Sequence, residues 1–201
     1  MAATRELFDA RGTAEVQIED IARSVGINRA IVYRHFTGKE AIVALTLVAY
    51  LDELRDELAE AAGRDGGVRE RLRAAVEAFI GYGVAHPAFV DSAHALMRRS
   101  GPELLDEISE SALFRLGRGI SGCLSLLVHL LEEGNASGDF DVADPTLLAN
   151  TLYASGLGAL QLARVGILVT ESAPGIPQVG TVSHQQVSDY MVAATLAMAS
   201  A

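Results

Sequence analysis

The sequence lacks tryptophan altogether and holds one cysteine, and aromatic residues make up only 5% of its 201 positions. A single cysteine cannot close a disulfide within the chain, so Cys123 fits a protein of a reducing compartment. Two interpretations of Cys123 stay open: a small buried apolar residue or a redox sensor. Half of the residues are hydrophobic, which is enough for a sizeable core.

Long hydrophobic runs are also absent. The segment 1–11 is charged and has no apolar centre of the kind that a signal peptide needs. The longest apolar run, 124–131, is interrupted by His129 and is too short to cross a bilayer. We therefore expect a cytoplasmic protein without a membrane segment.

Motifs for catalysis and metal binding are equally scarce. His86, His94, His129 and His184 show no metal-ligand spacing, either among themselves or with Cys123. The sequence has no nucleophile elbow, and no glycine-rich loop follows a predicted strand. We therefore expect no enzyme, no catalytic residue, no cofactor and no metal. Because His129 lies on an apolar run, it is interpreted as a core histidine rather than a metal ligand.

The net charge of −10 is unusual for a protein that binds nucleic acid, but the charge is unevenly distributed. Residues 1–50 hold six Lys/Arg and six Asp/Glu, so the whole acidic excess lies in residues 51–201. Residues 21–39 contain four basic residues and no acidic one. A local basic strip suits DNA contact at one place and repulsion elsewhere, although chance clustering would give the same pattern.

Helical periodicity runs through the sequence, and no segment clearly predicts a β-strand. Glycine and proline divide the chain into helices. The predicted helices are 2–11, 18–24, 28–35, 38–62, 67–86, 88–99, 102–133, 145–168 and 184–199. Glycines at 117, 119 and 122 would let the long segment 102–133 bend or split. The expected fold is all-α with about nine helices: a helix-turn-helix domain over 1–45 and a larger helical domain over 46–201.

The second and third predicted helices have the spacing of a helix-turn-helix. With Gly26 as the turn, the inner positions would be buried and Asn28 would cap the second helix of the pair. The inner set is Ile21, Ala22, Val25, Ile27 and Val32. The outer face would present Arg29, Ala30, Ile31, Tyr33 and Arg34. Arginine and tyrosine bind phosphates or base edges, and the absence of acids distinguishes this face from that of an ordinary small helical domain.

The fourth helix is expected to begin with a capping box, in which Thr37 caps the helix and Glu40 reaches back. Lys39 then lies in the first turn, where the helix dipole disfavours a cation. A phosphate docked on the amides at this helix start would explain that placement. The other interpretation of Lys39 is a solvated surface lysine.

These residues together resemble the DNA-binding domain of the TetR family. The motif is carried by Glu6-Leu7-Phe8, Gly12, Ile21-Ala22, Gly26-Ile27, Tyr33-Arg34-His35-Phe36 and Lys39-Glu40-Ala41-Ile42, over roughly residues 5–45. The resemblance implies a homodimer, recognition helices in successive major grooves of an inverted-repeat operator, and repression relieved by a small molecule. It also implies that Tyr33 and Lys39 hold the phosphate backbone and that Arg29, Ala30 and Ile31 read bases. The expected DNA-binding set is Asn28, Arg29, Ala30, Ile31, Tyr33, Arg34, His35 and Lys39.

Three features depart from the family pattern. Gln17 replaces the usual Thr or Ser before the second helix, so a cap and a phosphate contact are expected to be lost. Ile31 replaces a small or hydroxylated residue and would either meet a thymine methyl or pack inward. The first helix begins almost at Met1, where the family usually has a further, often basic segment. Either the start is misassigned or an arm that anchors the protein to DNA is missing.

The last two predicted helices carry the expected homodimer surface. Small residues at 154–159 would allow close approach of another helix, and the last helix places Val187, Tyr190, Met191, Ala194 and Met198 on one stripe. In the resembling family these helices form a four-helix bundle with a second subunit. A helix buried within the monomer would have the same pattern.

A sensing pocket is expected among the middle helices, lined by apolar side chains with Tyr82 and His129 as polar handles. The candidates for ligand binding are Phe79, Tyr82, Phe89, Met97, Phe114 and His129, with Leu116 and Leu127 beside them. The loop 170–183 would cover either a pocket mouth or a dimer edge. Two other hypotheses remain: a regulator of this fold that answers to a protein partner or has lost its sensing, and a helical enzyme or binding module.

Overall fold

The computed structural model describes residues 1–200, which form ten α-helices and one two-stranded sheet. The N-terminal helices are α1 Ala2–Arg11, α2 Ile18–Ser24, α3 Arg29–His35 and α4 Lys39–Ala62. The middle helices are α5 Val68–Ala85, α6 Pro87–Met97, α7 Gly101–Glu107 and α8 Glu110–Ser137. The chain ends with α9 Pro145–Val165, strands β1 Ile167–Ala173 and β2 Ile176–Thr181, and α10 His184–Ala199. The predicted all-α class is confirmed, with the small sheet as an addition.

The predicted helix 102–133 is two helices, and it divides before its glycines rather than at them. Ile108 is extended and buried between α7 and α8, and the Ser109 hydroxyl accepts a bond from the Ala112 amide at 3.4 Å. Gly119 lies within the uninterrupted helix α8, and a Cβ there would come within 3.2 Å of the Leu51 side chain. The glycine therefore serves close packing against α4 and does not break the helix.

The prediction that the chain has no strand is wrong between α9 and α10. The segment expected to be a loop is an antiparallel hairpin in which Val169 pairs with Val179. Gly166 ends α9 in the left-handed conformation, and Gly175 has the positive φ that the hairpin turn requires. The predicted helix 145–168 overlaps β1 only at Ile167 and Leu168, and most of the hairpin lies in the predicted loop 170–183.

The described residues pack as two compact units. The first comprises 1–56 and 86–123, and the second comprises 57–85 with the described residues from 124 onward. The predicted domain boundary at residue 45 falls within α4, whose own residues divide between the units.

In the first unit, Tyr50 of α4 is fully buried and donates a hydrogen bond to Asp9 of α1 at 2.6 Å. The Arg5 guanidinium lies 4.4 Å from the Tyr50 ring centroid and also pairs with Glu53. Burial, followed by the Asp9 bond, raises the pKa of the Tyr50 phenol above its usual range. Helix α1 is therefore held to α4 by a protonated tyrosine between charged partners.

In the second unit, α5, α9 and α10 pack against one another, and the core includes Leu72, Leu131 and Phe140. The buried face of α10 is offset from the predicted stripe. Of the residues predicted for the dimer surface, Val187 and Met191 are buried within the monomer, whereas Tyr190 is 75% exposed and Met198 is 39% exposed. The helix instead turns a neighbouring stripe inward: Val187, Ser188, Met191, Val192, Thr195 and Ala199.

Helix α8 has the length and apolar composition of a membrane-spanning segment, which the search for continuous apolar runs did not predict. Only 17% of the apolar window is buried. Core helices of soluble proteins also meet a criterion of length and composition, so one such helix is weak evidence for a membrane span.

Candidate DNA-binding site

Helices α2 and α3 form the predicted helix-turn-helix. Gly26 has a φ of 69° in the turn, and the Ile27 amide donates to the Ala22 carbonyl at 3.0 Å. Ile21, Ala22 and Val32 are buried, as expected. Val25 and Ile27 were expected to be buried but are 45% and 38% exposed. They flank the left-handed glycine, where the helical spacing that assigned them to the inner face no longer applies.

Short polar contacts fix both helix starts. The Asn28 side chain accepts a bond from the Ala30 amide at 2.8 Å, which confirms its predicted capping role. The start of α2 is also held, because the Asp20 carboxylate accepts from the Gln17 amide at 3.0 Å. This bond is the main cause that lowers the pKa of Asp20. The expected loss of a cap at Gln17 is therefore compensated by the carboxylate one turn later.

The outer face of α3 is exposed to solvent and mainly polar. The exposed members of the predicted DNA-binding set are Asn28, Arg29, Ala30, Tyr33, Arg34 and His35. Ile31 is half-buried, so its side chain is neither fully outward nor part of the core. Val32 supplies the buried side of the same helix at 3% exposure. The sequence thus positions α3 by one buried residue and leaves its polar face accessible.

One member of this face has a partner that sequence reasoning missed. Arg29 Nη1 donates to Glu19 Oε1 at 2.5 Å, and the Arg29 guanidinium lies 5.8 Å from the Tyr33 ring centroid. A hydrogen bond from the backbone, and then the bond from Arg29, hold the pKa of Glu19 below its usual value. Glu19 lies just before the acid-free stretch 21–39, so the charge pattern within that stretch did not predict a partner for Arg29.

Lys39 is the first residue of α4 and the only lysine in the sequence. Its ammonium donates to the Ala14 carbonyl at 3.0 Å, and desolvation by burial lowers the pKa of the amine. Lys39 is half-buried, so it is not a freely solvated lysine. Its charge lies beside the start of a 24-residue helix, where the dipole also attracts anions.

The capping box predicted before α4 is wrong. The Thr37 hydroxyl donates to the Glu107 carbonyl at 2.6 Å, and the Glu40 carboxylate accepts from Arg99 at 2.9 Å. Both side chains thus take tertiary partners from α7 and the segment before it. Arg99 also pairs with the Glu107 carboxylate at 3.4 Å, so the residues on either side of Lys39 are tied to the same neighbouring segment.

The candidate ligand-binding residues divide between the two units. Phe79, Tyr82, Leu127 and His129 belong to the second unit, and Phe89, Met97, Phe114 and Leu116 belong to the first. Tyr82, Phe89 and Leu116 are buried, whereas Met97, Phe114 and His129 are exposed. The interpretation of His129 as a core histidine is therefore wrong, because it lies on the outer side of an amphipathic helix.

Two of these aromatic residues have defined neighbours. The Phe79 ring packs edge-on against Tyr153 at 6.1 Å and lies against Gly156, where a Cβ would come within 2.6 Å of the ring. The Phe89 ring lies 6.3 Å from that of Tyr50. In each unit, therefore, one predicted candidate packs against the ring of a tyrosine that was not predicted.

Cys123 is buried, and its thiol donates to the Leu51 carbonyl at 3.4 Å. Burial raises the pKa of this thiol to about 12, which keeps it protonated and unreactive. The structure therefore supports a buried apolar role. Within residues 1–200, no three His, Cys, Asp or Glu residues gather in a way that would hold a metal ion.

Comparison with known proteins agrees with this geometry. Residues 1–45 match the family described as "Bacterial regulatory proteins, tetR family". The HTH-type transcriptional activator FasR of Mycolicibacterium smegmatis is 32% identical over 80 residues, which are 40% of this chain and 36% of FasR. The match thus spans little more than a third of that relative's length.

Solved structures extend the similarity in fold to nearly the whole chain. A tetR-family regulatory protein from Rhodococcus RHA1 superposes with a TM-score of 0.70 at 17% identity, over 99% of this chain and 94% of that one. The transcriptional regulator FadR from Bacillus subtilis gives a TM-score of 0.68 at 14% identity, over 98% and 96%. FasR and these two structural neighbours are named as regulators. Residues 1–45 are therefore similar to the N-terminal region of tetR-family regulatory proteins, and nearly the whole chain shares the fold of a solved protein of that family.

Proposed function

We propose that the protein is a DNA-binding transcriptional repressor that binds an inverted-repeat operator as a homodimer and is released by a small, mostly apolar molecule. The observation that carries this proposal is the outer face of α3. That face is exposed, has two arginines and no acidic residue, and is fixed by the Asn28 cap. A helix of this kind in a helix-turn-helix enters the major groove.

The residues around α3 would divide into positioning and reading groups. Tyr33, Arg34, His35 and Lys39 would hold phosphates, since hydroxyl, guanidinium, imidazole and ammonium groups donate to phosphate oxygens. Lys39 suits this role because its ammonium is already held by a carbonyl at a helix start. The N-terminal residues of the helix, Asn28 to Ile31, would face base edges, as recognition helices usually do.

A dimer is proposed because one recognition helix reads too few bases alone. We assign the dimer interface to α9 and α10. Apolar exposure is concentrated there: among residues 1–200, ten of the seventeen large exposed hydrophobic residues lie between 147 and 198. They are Leu147, Leu162, Val165, Ile167, Leu168, Val169, Ile176, Val179, Tyr190 and Met198. Exposed apolar side chains in such numbers favour an interface. We propose that the hairpin is also covered in the dimer, because a lone two-stranded sheet is only marginally stable in water.

An apolar effector is supported by the candidate residues and by one neighbour of the same fold. The FadR structure holds stearoyl-CoA, which has a long apolar chain and a polar head. Within the second unit, Phe79 and Tyr82 are proposed to contact an apolar ligand, and Tyr82 would offer a hydroxyl. Helix α4 is the proposed lever, because it begins at Lys39 and continues to Ala62. An effector acts only by binding the DNA-competent state and the other state unequally.

The test begins with selection of bound sequences from a random duplex pool by the purified protein. We expect an inverted repeat with half-sites about 34–36 Å apart or a multiple of that spacing. Light scattering should find a dimer on this duplex, and a tight complex of one monomer on one half-site would contradict the proposal. Acyl-CoAs of increasing chain length would then be tested for thermal stabilisation and operator release.

The direction of regulation and the need for a ligand have separate readouts. A reporter gene downstream of the selected operator should be expressed less when the protein is present, whereas FasR is named an activator. If DNA binding is specific but no apolar compound alters it, the effector part fails. The alternative of a regulator controlled by a protein partner would then be favoured.

A further inference from the structure

The Arg29–Glu19 pair links the two helices of the helix-turn-helix on their exposed side. Arg29 is the first residue of α3, and Glu19 lies in the first turn of α2. The bond from Nη1 to Oε1 is 2.5 Å long, and the two side chains are 61% and 46% exposed. The pair is therefore accessible to a bound duplex.

The geometry leaves Arg29 able to make a second polar contact. A guanidinium has five N–H donors in a planar fork, and Glu19 engages one terminal nitrogen. The Tyr33 ring lies beside the same group. Among residues 1–200, Nε and Nη2 of Arg29 have no hydrogen-bonding partner. These two nitrogens lie on the same edge of the guanidinium, and they can donate to the O6 and N7 atoms of a guanine.

We infer that Glu19 is a positioning residue that determines base specificity through Arg29. This inference rests on the proposed function. Glu19 holds one edge of the guanidinium so that the other edge is presented to a guanine in a fixed orientation. It also cancels the charge of Arg29 towards phosphates, which would attract an unpaired arginine at any DNA sequence.

The helix dipole at the start of α3 favours pairing of Arg29 with an acidic residue. The N-terminus of α3 carries positive partial charge, so a cation at Arg29 is disfavoured there unless an anion lies nearby. Glu19 supplies that anion. Because the pair is neutral as a unit, binding to random DNA would depend on cations outside it, such as Arg34 and Lys39. Arg29 would then contribute to affinity for the operator, and Arg34 and Lys39 would contribute to affinity for any DNA.

The test compares Glu19→Gln with the parent on the selected operator, on the same duplex with the guanine replaced, and on random DNA. Glutamine keeps the shape of the side chain and removes its charge. We expect the preference for guanine to fall by about threefold or more. Affinity for random DNA should rise, and the slope of log K against log salt should steepen by about one.

Two further variants show whether Glu19 acts through Arg29. In the Arg29→Ala background, Glu19→Gln should cause no additional loss of base preference. Glu15→Gln removes the same charge from an exposed residue before α2 and should leave the base preference unchanged. Thermal unfolding should hardly change in Glu19→Gln, because exposed ion pairs contribute little to stability.

The possible outcomes separate the two proposals. If the parent selects no DNA sequence, the proposed function itself fails. If the parent selects an operator and Arg29→Ala alters its base preference while Glu19→Gln does not, only the inference about Glu19 is overturned. A gain in random-DNA affinity with unchanged base preference also overturns it, because the effect would then be one of net charge.

Discussion

The surface around α3 and the surface formed by α9, the hairpin and α10 differ in what they expose. The first presents Arg29, Tyr33 and Arg34 on a short helix whose start is capped. The second presents Val169, Val179, Tyr190 and their apolar neighbours. Exposed charge is stable in water without a partner, whereas exposed apolar side chains are stabilised when another surface covers them. The comparison predicts that the first surface binds a charged ligand reversibly and that the second is covered permanently.

The largest effect is expected from a charge placed on the apolar surface. Tyr190→Asp puts a carboxylate where the proposed dimer would exclude water, so the protein should become monomeric. Operator affinity should fall by about 10²–10⁴-fold, because two linked recognition helices bind with avidity that a single helix lacks. Light scattering and gel shifts would measure the two effects.

Leu105→Asp is the matched control for this change. Leu105 is 71% exposed on α7, outside the proposed interface. This variant should remain dimeric and keep its operator affinity. If Tyr190→Asp is also dimeric and binds the operator normally, the apolar surface of α9, the hairpin and α10 is not the dimer interface.

The next effect concerns the aromatic contact between α5 and α9. A methyl group at Gly156 would lie 2.6 Å from the Phe79 ring, so Gly156→Ala should lower the free energy of unfolding by about 1–3 kcal/mol. Gly81→Ala is the control, because nothing lies within 4 Å of its added methyl and alanine favours the helix. Urea unfolding would compare them. Equal stability of Gly156→Ala and the parent would mean that Phe79 has room to move, as the wall of a ligand cavity would.

The two regions also differ in how well the sequence alone predicted them. The bounds of α2, α3 and α4 follow from local signals, with Asn28 as the cap and Gly26 as the turn. The hairpin was missed because its glycine and prolines led the segment 170–183 to be interpreted as a loop. Strand pairing depends on residues such as Val169 and Val179 meeting across a turn, which helical periodicity does not detect.

At the candidate DNA-binding site, contacts distant in sequence could not be predicted. The capping box failed because Thr37 bonds to a residue 70 positions away and Glu40 to one 59 positions away. The pair of Arg29 and Glu19 spans 10 positions and two helices. Local rules predict which side chains face outward, but the partner of each side chain depends on tertiary packing.

The charged surface itself should show a smaller, uniform effect. Lys39→Ala and Tyr33→Phe should weaken binding to operator and random DNA alike, since phosphate contacts carry no sequence information. Lys39→Ala should also flatten the slope of log K against log salt by about one. An unchanged affinity and slope in Lys39→Ala would remove the phosphate contact from this helix start.

Because Lys39 is the only lysine, it can also be observed directly. Reductive methylation with a carbon-13 label would give one side-chain lysine signal beside that of the N-terminal amine. This signal should shift on addition of any duplex and titrate below the usual lysine pKa in the absence of DNA, because burial favours the neutral amine. A Tyr190→Asp monomer should retain the shift at higher DNA concentrations, which would separate phosphate contact from dimerisation.

The smallest effect is expected at the start of α2, where Asp20 bonds to the Gln17 amide. Its pKa is lower in the folded protein than the ordinary value of 3.8, so its contribution to stability is fully present above that value. The contribution is lost as the pH falls through the lowered pKa of the folded state. Asp20→Asn should therefore be less stable than the parent at pH 6, and the difference should shrink towards pH 3. Urea unfolding at both pH values would measure it, with Glu15→Gln as the exposed control. A difference that is constant with pH would mean that the charge of the Asp20 carboxylate does not stabilise the start of α2.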